Sequence, residues 1–253
     1  MYWGVDVGST YTKICGINEK KELVEMSVIP TIVNQDEIVK KYLKDKDIKM
    51  LVSTGYGRHM IEETFSCPVI SEIKAHAKGA YFFNNNAQMV IDLGGQDSKV
   101  ILLDKSGGFV DFKMNDKCAA GTGKFLEIAA NRMGLNLDEF SKIGFDANKK
   151  LSISSMCAVF AESEVVSLIA KRESASNICY AVHESIASRL ASMASKFACK
   201  SEIILFTGGG ALDSFLVNLL SEKLEKTILP SKHPQLTGAI GAALCGYEIY
   251  QEI

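Results

Sequence analysis

Two cysteines stand where a metal-bound thiolate would be stabilised. Cys118 comes just before a glycine-rich turn that opens into a helical pattern, and Cys157 comes just before a second helical pattern. The partial positive charge and the N–H groups at a helix N-terminus stabilise a thiolate or a sulfide. The pattern therefore predicts that both cysteines are ligands of a metal–sulfur group.

The remaining five cysteines are predicted to be small buried side chains, because each lies among apolar or small residues. They are Cys15, Cys67, Cys179, Cys199 and Cys245. An odd total of seven cysteines, with no Cys-x-x-Cys pair, argues against a disulfide framework.

Two further stretches share a pattern that suits phosphate and Mg²⁺. In the first, a buried strand ends near Asp6, a turn of glycine and hydroxyl residues follows, and Lys13 begins the return strand. In the second, Asp92 and Lys99 stand in the same places around a glycine turn. Glycine lets the backbone approach a phosphate, and a carboxylate binds Mg²⁺ or its waters. The repeat predicts a duplicated β-hairpin core that holds the phosphates of one nucleotide between two lobes.

The residues predicted to bind the nucleotide lie in four turns: the two hairpin turns, the turn after Cys118 and a run of three glycines after a later strand. They are Gly8, Ser9, Thr10, Thr12, Lys13, Gly94, Gly95, Gln96, Asp97, Gly121, Gly123, Gly208, Gly209 and Gly210. Consecutive glycines allow a flat ligand to lie against bare backbone, and a following helix N-terminus supports a phosphate or ribose. The turn at 208–210 is therefore predicted to hold adenosine.

The elements that must position these residues alternate between strands and helices, which predicts an α/β fold. Strands are predicted at 2–7, 12–18, 49–54, 68–73, 88–93, 99–103 and 203–206, with a strand or extended link at 149–153. Helices are predicted at 35–46, 74–80, 122–133, 137–143, 158–171, 174–199 and 215–224, and a last one starts near 236. His76, in the second of these helices, is expected to be structural rather than catalytic.

The chain length and composition limit the class of protein. A chain of 253 residues is long enough for two lobes, which we expect at 1–74 with 235–253 and at 75–234. With 47% hydrophobic residues and a net charge of -2, nothing favours binding to nucleic acid or to an anionic membrane. The sequence begins without a leader pattern and has no apolar run of about 18 residues. We therefore expect a cytoplasmic protein.

The order of these motifs resembles the actin/Hsp70/sugar-kinase superfamily, which implies its two-lobed, ribonuclease H-like ATPase fold. Within that superfamily, the chain is similar to the activator component of 2-hydroxyacyl-CoA dehydratases, whose relatives include the ATPase subunits of benzoyl-CoA reductase. The segments that carry this closer resemblance are 71–77, 92–99, 115–123 and 157–165. The resemblance covers most of the chain.

This resemblance implies a homodimer in which one 4Fe-4S cluster is held between two subunits. Cys118 and Cys157 match the family's ligands. A 4Fe-4S cluster needs four thiolates, and a symmetric interface doubles the two that one chain supplies. The site is therefore expected to be complete only in the dimer.

The expected function is an ATP-driven one-electron donor. A ferredoxin or flavodoxin would load the cluster, and ATP hydrolysis would drive the electron into a partner iron–sulfur enzyme such as a dehydratase or reductase. Asp6 and Asp92 would hold Mg²⁺, Lys13 would neutralise phosphate charge, and Gln96 or Glu162 would orient the attacking water. Glu162 could equally be a carboxylate on a helix surface or an interface.

Other functions are left open by the sequence. The acceptor could be a related double-cluster iron–sulfur protein with another substrate. A sugar-type kinase of the same fold would need no cluster but would need an aspartate base in a substrate cleft. A chaperone or cytoskeletal module is disfavoured by the short chain, which has no peptide-binding extension.

Overall fold

The computed structural model describes residues 1–154, 157–199 and 201–253. These residues form a mixed α/β fold, as the sequence predicts. The strands are β1 (Tyr2–Val7), β2 (Tyr11–Ile17), β3 (Leu23–Pro30), β4 (Met50–Gly55), β5 (Met89–Leu93), β6 (Ser98–Leu103), β7 (Phe109–Asn115), β8 (Ile203–Thr207) and β9 (Thr227–Pro230). The helices are α1 (Gln35–Leu43), α2 (Arg58–Phe65), α3 (Glu72–Phe83), α4 (Gly123–Arg132), α5 (Leu137–Ile143), α6 (Ala158–Ala170), α7 (Ala175–Ala198), α8 (Ser214–Leu224) and α9 (Thr237–Gln251).

The chain divides into two compact units. The first unit comprises Met1–Asn86, Leu103–Val110 and Gln235–Ile253, and the second comprises Ala87–Leu102 and Asp111–Pro234. The lobe boundaries expected from the sequence stay a prediction.

The first unit is built on a four-stranded sheet in the order β3-β2-β1-β4. The central strand β1 runs antiparallel to β2 and parallel to β4. Helix α9 packs on one face, where Gly4 permits the approach: an added Cβ there would lie 2.0 Å from Ala239 O. The other face carries a separate apolar cluster that includes Trp3, Val39 and Ile61.

The second unit is built on a five-stranded sheet in the order β7-β6-β5-β8-β9. Again the central strand, β5, runs antiparallel to the next strand of its hairpin and parallel to a later strand, β8. The long helix α7 contacts β5, α4, α5, α6 and α8. The large side chains of its core include Phe125, Phe140, Phe206 and Phe215.

Local sequence signals fix where several helices begin. The Ser71 side chain accepts a hydrogen bond from the N–H of Lys74 at the start of α3. At α5, Asn136 and Glu139 form a reciprocal capping box. Such side chains satisfy N–H groups that have no partner inside the helix.

Several sequence predictions differ from the structure. The segment 68–73 is not a strand, because its contact with β4 is a single bridge between Ser53 and Val69 and α3 already begins at Glu72. The segment 149–153 is extended and unpaired with any strand in the described chain. Four elements were not predicted: β3, β7, β9 and α2. No helix in the three described stretches has the length and hydrophobicity that a membrane span requires.

Candidate functional site

The first hairpin places Asp6 and Lys13 side by side. They are cross-strand partners of β1 and β2, and Lys13 Nζ lies 3.3 Å from Asp6 Oδ2. Asp6 is 4% exposed and lies at the N-terminus of α9, where an added Cβ on Gly238 would meet Asp6 Oδ2 at 2.9 Å and His76 Nε2 at 3.0 Å. The carboxylate, the ammonium group and His76 therefore gather at the end of one sheet face.

Hydrogen bonds within the turn and from Thr31 stabilise the turn between β1 and β2. The N–H of Gly8 donates to Tyr11 O, and the hydroxyl of Thr31 donates to Gly8 O at 2.8 Å. Thr12 is fully buried, faces away from Asp6 and hydrogen-bonds to Thr31 Oγ1 at 2.9 Å. Thr12 thus supports the turn, whereas the side chain of Ser9 is exposed in it. The predicted nucleotide contacts of this turn stay a prediction.

The second hairpin repeats the register of the first. Asp92 and Lys99 are cross-strand partners, 3.6 Å apart at Asp92 Oδ2 and Lys99 Nζ. Lys99 also donates to Asp97 Oδ2 at 2.7 Å, and the N–H of Gly94 donates to Asp97 O at 3.0 Å. Asp97 is therefore occupied in closing the turn, while Gln96 is exposed at its tip.

The glycine turn that was predicted to hold adenosine follows β8. Gly208 has φ +80°, and an added Cβ there would lie 2.3 Å from Leu93 O, so that a side chain at this position would strain the turn. The N–H of Gly208 donates to Pro234 O at 2.9 Å. The turn then continues as a short 3₁₀ segment, Gly209–Leu212, and leads into α8.

Behind this turn lies a buried polar network that the sequence reading missed. Asp213 caps α8 by accepting from the N–H of Leu216 at 2.9 Å, and it also accepts from Ser141 Oγ at 2.7 Å. Its other oxygen lies 2.7 Å from His183 Nε2, and His183 Nδ1 lies 2.8 Å from Cys179 O. The two oxygens that face the ring, Asp213 Oδ2 and Cys179 O, are both acceptors, so each favours a ring nitrogen that carries hydrogen.

The pKa of Asp213 follows from this network. Burial raises the pKa of the carboxyl, but the hydrogen bond and charge of His183, with the donors Leu216 and Ser141, outweigh burial and hold the pKa below its ordinary value of 3.8. Asp213 is 8% exposed and His183 is fully buried. A histidine and an aspartate 30 residues apart gave no local signal, since neither has a motif around it.

Helix α4 ties the segment after Cys118 to the second hairpin. The N–H of Gly123 donates to Gly94 O at 2.9 Å, and the N–H of Lys124 donates to Gly95 O at 2.8 Å. Gly121 lies against Arg189 of α7, which an added Cβ would approach to 3.4 Å. These two backbone hydrogen bonds hold the start of α4 against the turn of the second hairpin.

The two residues considered for positioning water lie in different places. Gln96 is in the hairpin turn, whereas Glu162 pairs with Arg132, whose Nε donates to Glu162 Oε1 at 2.6 Å. Arg132 is the last residue of α4, and the N-terminus of α4 is the end that touches the hairpin. A helix of ten residues is about 15 Å long. Glu162 therefore lies about one helix length from the turn that holds Gln96.

The two candidate ligand cysteines are both at least partly accessible to solvent. Cys118 is half-buried and immediately precedes the 3₁₀ turn Ala119–Gly121, and Cys157 is exposed and immediately precedes α6. That turn packs against α6, and Cys118 lines an open cavity together with Ile153. No group of three or more His, Cys, Asp or Glu side chains is arranged to hold a metal ion in the described part of one chain.

The other cysteines are buried with one exception. Burial raises the pKa of the Cys15 thiol to about 12 and also raises the pKa of Cys67, Cys179 and Cys245. The prediction that Cys199 is buried is wrong, because it follows the last turn of α7 and is exposed. The sequence context of Cys199 resembles that of a core residue, but the helix ends just before it.

Comparisons with known proteins agree with this geometry. The sequence model of the BadF/BadG/BcrA/BcrD ATPase family matches residues 3–246. The activator of lactoyl-CoA dehydratase from Anaerotignum propionicum is 40% identical over 98% of this chain and 98% of its own length. The solved activator of the 2-hydroxyisocaproyl-CoA dehydratase from Clostridium difficile, with bound ADPNP, matches with a TM-score of 0.91 and 34% identity, over 100% of this chain and 96% of that one.

A more distant structure shows the fold alone. A ROK family glucokinase from Streptomyces griseus matches with a TM-score of 0.61 and 14% identity, over 98% of this chain and 99% of that one. Together with the two sheets and their duplicated hairpins, these matches confirm the predicted actin/Hsp70/sugar-kinase ATPase fold.

Proposed function

This chain belongs to the BadF/BadG/BcrA/BcrD ATPase family, and on that premise we propose that it is an ATP-dependent one-electron donor. It couples ATP hydrolysis to electron transfer from a 4Fe-4S cluster, shared by two copies of the chain, to a partner iron–sulfur enzyme. The partner is an enzyme such as a 2-hydroxyacyl-CoA dehydratase, by similarity to relatives that are named as activators of such enzymes.

One observation carries the coupling: the segment that holds Cys118 is hydrogen-bonded to a phosphate-type turn. Five residues after Cys118, the N–H groups of Gly123 and Lys124 donate to the carbonyls of Gly94 and Gly95. A rearrangement of this turn when a phosphate leaves must move or break these two hydrogen bonds, and α4 moves with them. A kinase would have no use for a thiol at this place.

The residues present fit an iron–sulfur cluster shared between two chains. Cys118 and Cys157 are accessible thiols that precede adjoining helical segments, and each chain supplies half of the four thiolates required. Such a cluster supplies one-electron chemistry when it is bound. The two cysteines would hold it, and the N–H groups at the start of α6 would stabilise its negative charge beside Cys157.

An apolar surface beside Cys157 supports the dimer. Helix α6 leaves four large apolar side chains exposed, which is unusual on a monomeric protein. They are Val159, Phe160, Val166 and Ile169, at 68%, 66%, 46% and 40% exposure. A symmetric contact through this face brings the cysteines of two copies towards one axis.

The oxygen-rich ends of the two hairpins fit Mg²⁺ and a nucleotide. Asp6 and Asp92 supply carboxylates, which Mg²⁺ accepts directly or through its waters, and Lys13 lies beside Asp6 to offset phosphate charge. Gln96 orients the attacking water, because it is exposed in the second turn, whereas Glu162 lies at the far end of α4. Adenosine lies at the glycine turn 208–210.

The electron partners are proposed by chemical class. A reduced ferredoxin or flavodoxin loads the cluster in the cytoplasm. The acceptor is an iron–sulfur dehydratase or reductase, or a related double-cluster protein with another substrate.

Anaerobic purification tests the proposal directly. The wild-type protein is expected to be brown, with about four irons per dimer. Cys118→Ser is expected to lose the iron and to keep ADP binding, because the Cys118 thiol is not among the groups proposed to contact the nucleotide. Cys199→Ser is the matched control, because Cys199 is also exposed but follows a helix rather than preceding one. A colourless, iron-free protein that phosphorylates a sugar would contradict the proposal and favour the kinase.

A further inference from the structure

Each unit carries the same row of three polar residues across its central strands. In the first unit, Lys13, Asp6 and Thr54 are cross-strand neighbours on β2, β1 and β4. In the second, Lys99, Asp92 and Thr207 occupy the equivalent places on β6, β5 and β8. Paired residues on adjacent strands point to the same face of a sheet. Each threonine therefore faces the same side as its aspartate.

The resemblance continues beyond the rows. Thr54 is followed by Gly55 with φ +90°, and Thr207 is followed by Gly208 with φ +80°. Both aspartates are almost fully buried, at 4% for Asp6 and 2% for Asp92. The two threonines are fully buried. The rows are thus two copies of one local design.

The hydrogen bonding of the two rows differs. In the second unit, Thr207 Oγ1 donates to Asp92 Oδ1 at 2.8 Å. Because its threonine and aspartate are hydrogen-bonded to each other, we call this the closed row. In the first unit, Thr54 Oγ1 is buried but has no hydrogen-bond partner among the described residues. Asp6 meets Lys13 at 3.3 Å, near the long limit for a hydrogen bond. This row is open.

An unpaired buried hydroxyl is costly, so a native protein keeps one where something binds to it. Valine would fill the same space as Thr54 without the unpaired hydroxyl. The open row also contains the oxygen donors and the carboxylate that a hydrated divalent cation prefers. The threonine without a partner therefore marks the aspartate that receives the cation.

We infer that Thr54 is a further ligand-binding residue of the nucleotide site, whose hydroxyl hydrogen-bonds to a water of the hydrated Mg²⁺ held by Asp6. This inference rests on the proposed ATPase function, and it assigns the cation to one of the two aspartates.

The test compares apo stability with nucleotide affinity in Thr54→Val. Removing a hydroxyl that has no partner in the apo protein should leave the thermal denaturation midpoint unchanged or raise it. The same variant should bind Mg·ADP about threefold to tenfold more weakly, the effect of one lost hydrogen bond. Its affinity for ADP in EDTA should stay at the wild-type value. Isothermal titration and thermal shift measure these quantities without any turnover.

Two variants serve as controls. Thr207→Val breaks the hydrogen bond to Asp92 and should lower the apo midpoint, the opposite sign to Thr54→Val. Thr54→Ser keeps the hydroxyl and should keep Mg·ADP affinity within about twofold of wild type. If the valine variant does not fold, the Mg·ADP affinity of the serine variant still tests the role of the hydroxyl.

Each remaining outcome overturns the inference in a distinguishable way. Wild-type Mg·ADP affinity in Thr54→Val, or a loss of affinity in Thr54→Ser equal to that in the valine variant, would show that the hydroxyl does not bind. A lower apo midpoint in Thr54→Val would show a structural role. Absence of Mg·ADP binding by the wild-type protein would remove the proposed nucleotide site itself, and the role of Thr54 with it.

Discussion

Replacing Asp213 by alanine should destabilise the second unit more than any ordinary surface substitution. The change removes a carboxylate that accepts from His183, from Ser141 and from the N–H of Leu216. It leaves Nε2 of the fully buried His183 without its carboxylate partner. Removing one partner of a buried ion pair costs about 3–5 kcal/mol, and the lost helix cap belongs to the same group. In a chain of this size each kcal/mol lowers Tm by about 2–4 °C, so we expect a fall of roughly 10 °C.

Asparagine at the same position separates hydrogen bonding from charge. Its amide oxygen still accepts from Leu216 and Ser141, and its NH₂ group donates to His183 Nε2 in the tautomer that carries hydrogen on Nδ1. That tautomer keeps the hydrogen bond to Cys179 O. Asp213→Asn should therefore cost clearly less than Asp213→Ala.

The acid dependence of stability gives a second readout of the same pair. A carboxyl whose pKa is lower in the folded than in the unfolded protein stabilises the fold fully when the pH is above its pKa in the unfolded protein. That contribution is lost as the pH falls through the pKa of the folded protein. For Asp213 the loss lies below about pH 3.8, and Asp213→Asn should lack this part of the acid destabilisation. Denaturant titrations followed by far-UV circular dichroism at neutral pH and at pH 3 measure both effects. An alanine variant that loses less than about 1 kcal/mol, or an asparagine variant as unstable as alanine, would refute the argument.

Two glycine substitutions test the packing of the first unit. Gly241→Ala should lower the free energy of unfolding by about 1–3 kcal/mol or more, because its Cβ would lie 1.8 Å from Ala75 O. The fluorescence of Trp3, the single tryptophan, reports the unfolding of this unit. An unchanged free energy of unfolding would mean that the helices separate easily. Gly55→Ala should lose both stability and Mg·ADP affinity, because φ is +90° and the added Cβ would lie 2.6 Å from Asp6 Oδ1. Thermal shift with and without Mg·ADP measures both effects. Normal Mg·ADP affinity in this variant would show that Asp6 does not hold the cation.

The parts of the site that the sequence predicts well are those with local causes. The spacing from Asp6 to Lys13 and from Asp92 to Lys99 fixes a hairpin by itself, and the structure has both pairs in the same register. The predicted bounds of α5 are correct because the capping box before it is a local signal.

The missed elements lack such signals. β3 and β7 lie at sheet edges and expose apolar side chains such as Val24 and Val110, so their apolar residues do not mark the face that is more buried. Helix α2 begins at a glycine with no side-chain cap. These elements form because they pair with a neighbouring strand or pack on a core. A short stretch of sequence does not contain that tertiary context.

The long-range polar contacts were beyond prediction for the same reason. Thr54 and His183 have ordinary neighbours in sequence, and their importance comes from the partners that the fold brings to them. Even so, Thr54-Gly55 repeats Thr207-Gly208 as a dipeptide at the end of a strand. Extending the duplication beyond the hairpins to the third strand of each sheet would have identified it.

The placement of α4 gives the proposed coupling a direction. Its first N–H groups donate to Gly94 and Gly95, and its last residue, Arg132, pairs with Glu162 on the helix that follows Cys157. One short helix therefore links the phosphate-type turn with the segments of both cysteines. A helix with satisfied internal hydrogen bonds transmits a displacement with little bending, so a movement at the turn reaches both thiols together. On the proposed function, Glu162 is an anchor of the helix after Cys157, and Gln96 is the residue proposed to position the water.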